Sequence, residues 1–93
     1  MTQIYNTDQI AKALRQDCEG AFNFWGDVSN NIRETLIMLV FQMGLAGVQR
    51  FAKMLRAIEN EDWAEASNQL LDSRFAARTP ARAKRMAKRL ARG

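Results

Sequence analysis

Apolar residues in this chain return mostly at steps of three and four, which predicts helices rather than strands. Asn6, with Gln9 three residues on, reads as a capping box that opens a first helix. Ile10, Ala13 and Leu14 then form one stripe, and the pattern runs to about Asp17. Gly20 and Gly26 bracket an aromatic stretch of Phe22, Phe24 and Trp25. Its alternation would suit a strand, but no second strand is present to pair with it, so a packed turn with core rings is expected. Ser29 or Asn30 can accept from the free N–H groups of a second helix, which Gly44 should end. That helix carries Ile32, Leu36, Ile37, Val40, Phe41 and Met43 and has little polar face, so it is expected to be the buried centre.

A third helix is read from Val48, Phe51, Leu55 and Ile58, laying one face on the second. Asn60 is the expected cap of a fourth, with Glu61 and Asp62 near its positive end and Trp63, Ala66, Leu70 and Leu71 facing inward. Thr79 and Pro80 read as N-cap and first position of a last helix, whose inward residues are Ala83, Met86, Ala87 and Leu90. Lys88, Arg89 and Arg92 suit its negative end. The predicted fold is all-α, a compact bundle of four to five helices in one domain, 1–93. Its parts are an N-terminal helix over 1–20, an aromatic connector over 21–28 and a helical lobe over 29–93.

Composition narrows the chemistry. A chain of 93 residues with 47% hydrophobic content can build one core without staples. With no His and a single cysteine, Cys18, a disulfide framework, a zinc site and a His-based triad are excluded, and no metal or other cofactor is expected. No apolar run approaches the roughly 18 residues that span a bilayer, and no basic-then-apolar leader opens the chain. A soluble protein without signal peptide or membrane association is therefore expected. Charge is uneven: residues 1 to 73 carry 6 basic and 10 acidic groups, whereas residues 74 to 93 carry 8 basic groups and none acidic. Such a basic block attracts nucleic acid, an anionic wall polymer or an acidic partner, or it is a solvated helix face.

The run Val40-Phe41-Gln42-Met43-Gly44, followed by Gly47-Val48, resembles the central helix and following turn of the T-even phage lysozymes. The same register continues without a gap through Phe51, Leu55, Trp63, Ala66, Ser73-Arg74, Phe75, Thr79-Pro80 and Arg82-Ala83-Lys84-Arg85. The likeness covers roughly residues 25 to 92 and implies the C-terminal helical lobe of a muramidase of glycoside hydrolase family 24, packed around Phe41, Phe51 and Trp63. Two alignments are open for the N-terminal part. Ile10, Leu14-Arg15, Asp17, Glu19 and Gly20 resemble the family's first helix, whose glutamate is the general acid; that alignment implies a first helix fused directly to the C-terminal lobe, with the strand-rich lobe deleted. Asp8, Ile10, Ala13 and Arg15 also fit the end of the family's long connecting helix.

Glycosidases need two carboxyl groups about 5 to 9.5 Å apart. The resemblance offers only Glu19 and Asp27, as candidate relics. Seven residues separate them, one fewer than in the family pattern, and neither its threonine nor its Gly-Tyr-Gly-His-like hairpin follows. Gln42, Arg74, Phe75, Arg78, Thr79 and Arg82 are implied to line the C-terminal side of a saccharide cleft, with Arg78 standing where the family has a glutamine. An ion pair of Arg82 with Glu19 would reuse a former catalytic contact structurally. Phe75 also reads as a packed core ring, and Arg74 and Arg85 as surface partners of Glu19, Asp17 or Asp72.

The function expected is a phage-derived, non-catalytic, lysozyme-like structural or interaction module, a pseudoenzyme with weak peptidoglycan binding. It would serve in a virion, baseplate or lysis complex, made in the host cytoplasm and carried into the virion. Its expected partner is a protein of the phage assembly. The alternative is a muramidase, or half of one completed by a chain supplying the strand lobe, with Glu19 as general acid. A second alternative is nucleic-acid binding by Arg82, Lys84, Arg85, Lys88, Arg89 and Arg92, which the lysozyme register disfavours.

Overall fold

A computed structural model describes residues 7–93, except for the side chains of Thr7, Asp8 and Ala11. The Asn6 end of the expected capping box therefore lies outside the described residues. Six α-helices follow one another: α1 (Thr7–Ala21), α2 (Asn30–Gln49), α3 (Ala52–Glu59), α4 (Trp63–Leu71), α5 (Arg74–Arg78) and α6 (Pro80–Arg92). A single 3-10 turn, Trp25–Asp27, lies between α1 and α2, and no strand occurs among the described residues. The helical class is as expected. One helix more than the expected four to five arises because Ser73 starts a separate short α5: its hydroxyl donates to the carbonyl of Leu70 at 2.6 Å and accepts from the Ala76 N–H at 3.2 Å.

α1 runs past Asp17 to Ala21 because Cys18, four residues beyond Leu14, extends the inward stripe and is fully buried. Ala13, expected on that stripe, is exposed. The connector is a packed turn: Phe22, Phe24 and Trp25 are all buried, and the Phe22 and Phe24 rings stack at 5.5 Å. Arg33 on α2 fastens it, donating from Nε to the Trp25 carbonyl at 2.8 Å and from Nη2 to the Gly26 carbonyl at 3.2 Å.

Ser29 caps α2 by accepting from the Ile32 N–H at 3.2 Å. Gly44, at φ 78° and ψ 162°, breaks the helix where expected, in a conformation that side chains disfavour. A last turn carrying Val48 continues α2, so Val48 and Phe51 precede α3 rather than belong to it. Ile32, Thr35, Leu36, Leu39 and Val40 are buried. Phe41, expected at the centre of the core, is instead 63% exposed, because no element of the described chain covers that side of α2. Phe51 and Trp63 are half-buried against the core.

Asn60 closes α3 rather than opening α4. Glu61 adopts φ 59°, turning the chain, and Asp62 becomes the cap by accepting from the Glu65 N–H at 3.3 Å. Ala66 and Leu70 are fully buried, but Leu71 is 44% exposed, since its neighbour Leu70 already continues the inward stripe of Trp63 and Ala66, spaced by three and then four residues. Thr79 and Pro80 open α6 as expected, but Thr79 gives no side-chain cap; its hydroxyl donates to the Phe75 carbonyl at 3.0 Å. Ala83, Met86, Ala87 and Leu90 are buried as read. The most extensive helix contacts are α4 with α6 and α3 with α4, while α1 rests chiefly on α2. No single helix among the described residues is long and apolar enough to cross a membrane, and α2 with α3 would be bent by 100°.

Candidate functional site

A groove of about 680 Å³ lies between α1, α2 and α6. Ile10 and Leu14 form its α1 wall, and Ile37, Met38, Phe41 and Gln42 form its floor on α2. The opposite wall is α6, with Met86 among Arg82, Arg85, Lys88, Arg89 and Arg92. No carboxylate lines it. The helices produce this arrangement directly: residues three and four apart share a face, so Arg82, Arg85, Arg89 and Arg92 form a row down α6, as Ile37, Met38 and Phe41 form a patch on α2.

Two of the cations are fixed. Arg82 donates to the Gln42 side-chain oxygen at 2.5 Å, tying the start of α6 to α2. Arg89 donates to Thr35 Oγ1 at 3.1 Å and pairs with Glu34 at 2.8 Å. Asn31 completes this seam by donating to the carbonyls of Arg89, at 2.7 Å, and Gly93, at 3.4 Å. The buried Thr35 hydroxyl is satisfied as well, donating to the Asn31 carbonyl at 2.8 Å. The seam was not read from the sequence. Its only signals were Asn31 and Thr35, four residues apart and so on one face of a largely apolar helix.

The residues implied by resemblance divide. Gln42 and Arg82 come together at the groove rim. Arg74, Phe75, Arg78 and Thr79 lie on or beside α5 and do not line the groove. Phe75 packs on the core, as its structural reading had it, while Arg74 and Arg78 are exposed. The expected ion pair of Arg82 with Glu19 does not form, and neither do surface pairs of Arg74 or Arg85; Arg89 with Glu34 is the one ion pair among the described residues. The reason is helical phase. Ile10 and Leu14 share the face of α1 toward the groove, and Glu19, five residues beyond Leu14, is turned roughly 140° from it.

Glu19 and Asp27 are both exposed and line no common groove. Asp27 borders a separate hollow of about 240 Å³ with Asn23, Phe24, Val28, Ile58, Glu59 and Glu61, and Glu19 is not part of it. Neither carboxyl therefore has the desolvated, shared cleft in which one acid is kept protonated opposite an ionised partner. Cys18 is the buried nucleophile of the chain. Burial, aided by Asp17 and opposed by Arg15, pushes its thiol from the ordinary 9.0 up to about 11, so it stays protonated and unreactive.

No family model matches the chain, and no solved structure matches it significantly. Two curated relatives from Dictyostelium discoideum do. One, named probable T4-type lysozyme 2, is 37% identical over 62 residues, which is 67% of this chain and 36% of that protein. Another, named probable T4-type lysozyme 1, is 40% identical over 58 residues, 61% of this chain and 34% of that protein. The chain thus spans about a third of the length of the curated relatives it matches. Over that stretch it is T4-type-lysozyme-like, and its all-helical fold suits the C-terminal lobe rather than a whole enzyme of that kind.

Proposed function

We propose that this helical unit is a lysozyme-like module that acts by binding and does not itself cleave a glycan. The observation that carries the reading is the separation of carboxylates from concavity. Glu19 and Asp27 are solvated and share no cleft, whereas the groove between α1, α2 and α6 holds cations and apolar side chains and no acid. General acid catalysis on a glycoside needs a carboxyl whose proton is retained near neutrality and a second group placed across the sugar. The amoebal origin of the relatives gives no support to a virion or baseplate setting, and the module reading does not depend on one.

Peptidoglycan is the ligand class suggested by the relatives' names, with the exposed guanidinium groups of α5 and α6 offering charge to an anionic wall polymer. A second reading, half of a muramidase completed by a strand-bearing partner, draws on the match to only about a third of each relative. Incubating the purified protein with peptidoglycan, and measuring both reducing ends and cosedimentation, tests the two together. The expected outcome is weak, salt-sensitive cosedimentation without reducing-end release. Release that Glu19→Gln abolishes would overturn the proposal in favour of catalysis.

A further inference from the structure

α2 has apolar residues on nearly every side, a pattern that belongs to a helix covered all round. In the structure Ile32, Leu36, Leu39 and Val40 are covered, yet Ile37 and Met38 are half-buried and Phe41 is 63% exposed. The sequence of α2 is thus written for one more contact than the described residues supply. We propose that the groove over this uncovered face binds an acidic amphipathic helix of another protein. The inference rests on the reading above that the unit works by binding, and it assigns the groove a protein partner apart from any wall polymer held by the exposed guanidinium groups.

Two features select that occupant. The floor is mostly apolar, with Ile37, Met38 and Phe41 on neighbouring turns of α2, and a groove walled by two helices on the surface of a third receives a helix presenting apolar residues at three- and four-residue steps. The rim is cationic in a row rather than at a point. From Arg82 to Arg92 the row rises through ten residues of α6, about 15 Å of helix axis, with Arg85 between them. Arg85 and Arg92 have no ion pair among the described residues. A single-headed anionic lipid would engage one end of such a row, whereas glutamates or aspartates repeated along a helix meet it throughout. A glycan strand would satisfy the cations only through its few carboxylates and would leave the Ile37, Met38 and Phe41 floor against hydroxyls.

The probe is a fluorescein-labelled synthetic peptide of about four helical turns, with leucines on one stripe, glutamates flanking it and alanines elsewhere. A second peptide has lysine for each glutamate. Fluorescence anisotropy with the full chain should show saturable binding of the acidic peptide in the micromolar range, weakening as salt is raised, and binding at least about tenfold weaker for the lysine peptide. Arg85→Glu with Arg92→Glu should lower affinity by about tenfold or more. Phe41→Ala should weaken both peptides alike. These sites are exposed, and circular dichroism checks that each variant keeps its helix content. The proposal is overturned if the acidic peptide does not saturate, if the two peptides bind equally, or if the charge reversals leave its affinity unchanged. Decanoate or phosphatidylglycerol vesicles binding in a Phe41-dependent way while the acidic peptide does not would assign the groove to lipid instead. Reducing-end release from peptidoglycan would sink the binding-module reading, while peptide failure without release would sink only this inference.

Discussion

α6 meets two different neighbourhoods on its two flanks. Toward α4 and the polar end of α2 it is closed: Ala83, Ala87 and Leu90 are buried with Ala66 and Leu70, and Asn31, Glu34 and Thr35 hold the Arg89 turn by hydrogen bonds. Toward α1 it is open, with Arg82, Arg85 and Arg92 beside an apolar floor whose Phe41 is 63% exposed. The two flanks draw on the same kinds of residues. What separates them is the presence of a facing element, which the open flank lacks among the described residues.

The contrast is broken most severely on the closed flank. Leu70→Ala removes a fully buried side chain and should destabilise the fold by about 2–5 kcal/mol, measured by urea unfolding. Cys18 closes the far end of α1, and its titration reports on that closure. Because the folded thiol holds its proton up to about 11, against an ordinary 9.0, its contribution is fully present below pH 9 and is lost as pH rises from 9 through 11. The loss should approach about 2–3 kcal/mol, read as the difference in unfolding free energy between the natural protein and Cys18→Val across that interval.

Gly44→Ala tests the break between the apolar body of α2 and its last turn. No atom would obstruct the added methyl, so the whole effect is conformational, about 1–3 kcal/mol of destabilisation in thermal or urea unfolding. Phe41→Ala lies at the small end. Despite removing a phenyl ring, it should change stability by no more than about 0.5 kcal/mol, since the ring is mostly in solvent. A cost for Phe41→Ala as large as that for Leu70→Ala would erase the distinction between the flanks.

Much of the fold was legible because local signals agreed with packing. Gly44, Ser29, the Thr79-Pro80 step and the α6 stripe each act within one helical turn, where sequence neighbours decide the outcome. Phe41 shows what was not legible. Periodicity places it on an apolar face, but whether that face is covered depends on which elements are present, which no local pattern states. Asn60 and Asp62 illustrate a smaller ambiguity: both can cap, and Glu61 at positive φ decides in favour of the later one. For the site, Gln42 and Arg82, both implied by resemblance, meet in the structure, yet resemblance could not foresee that Gln42 rather than Glu19 would hold Arg82. That choice depends on the phase of α1 against α6, a long-range relation.

Methionines sit on both flanks, which makes ¹³C-methyl NMR of the methionine-labelled protein the most direct test of this division. Met38 lies half-buried on the groove floor, Met86 is buried behind its α6 wall, and Met54 is fully buried in the core. Adding the acidic helical peptide should shift the Met38 and Met86 methyl signals while leaving Met54 in place. A peptide that shifts Met54 as strongly, or that binds without moving Met38 and Met86, would contradict an open flank built to receive a helix.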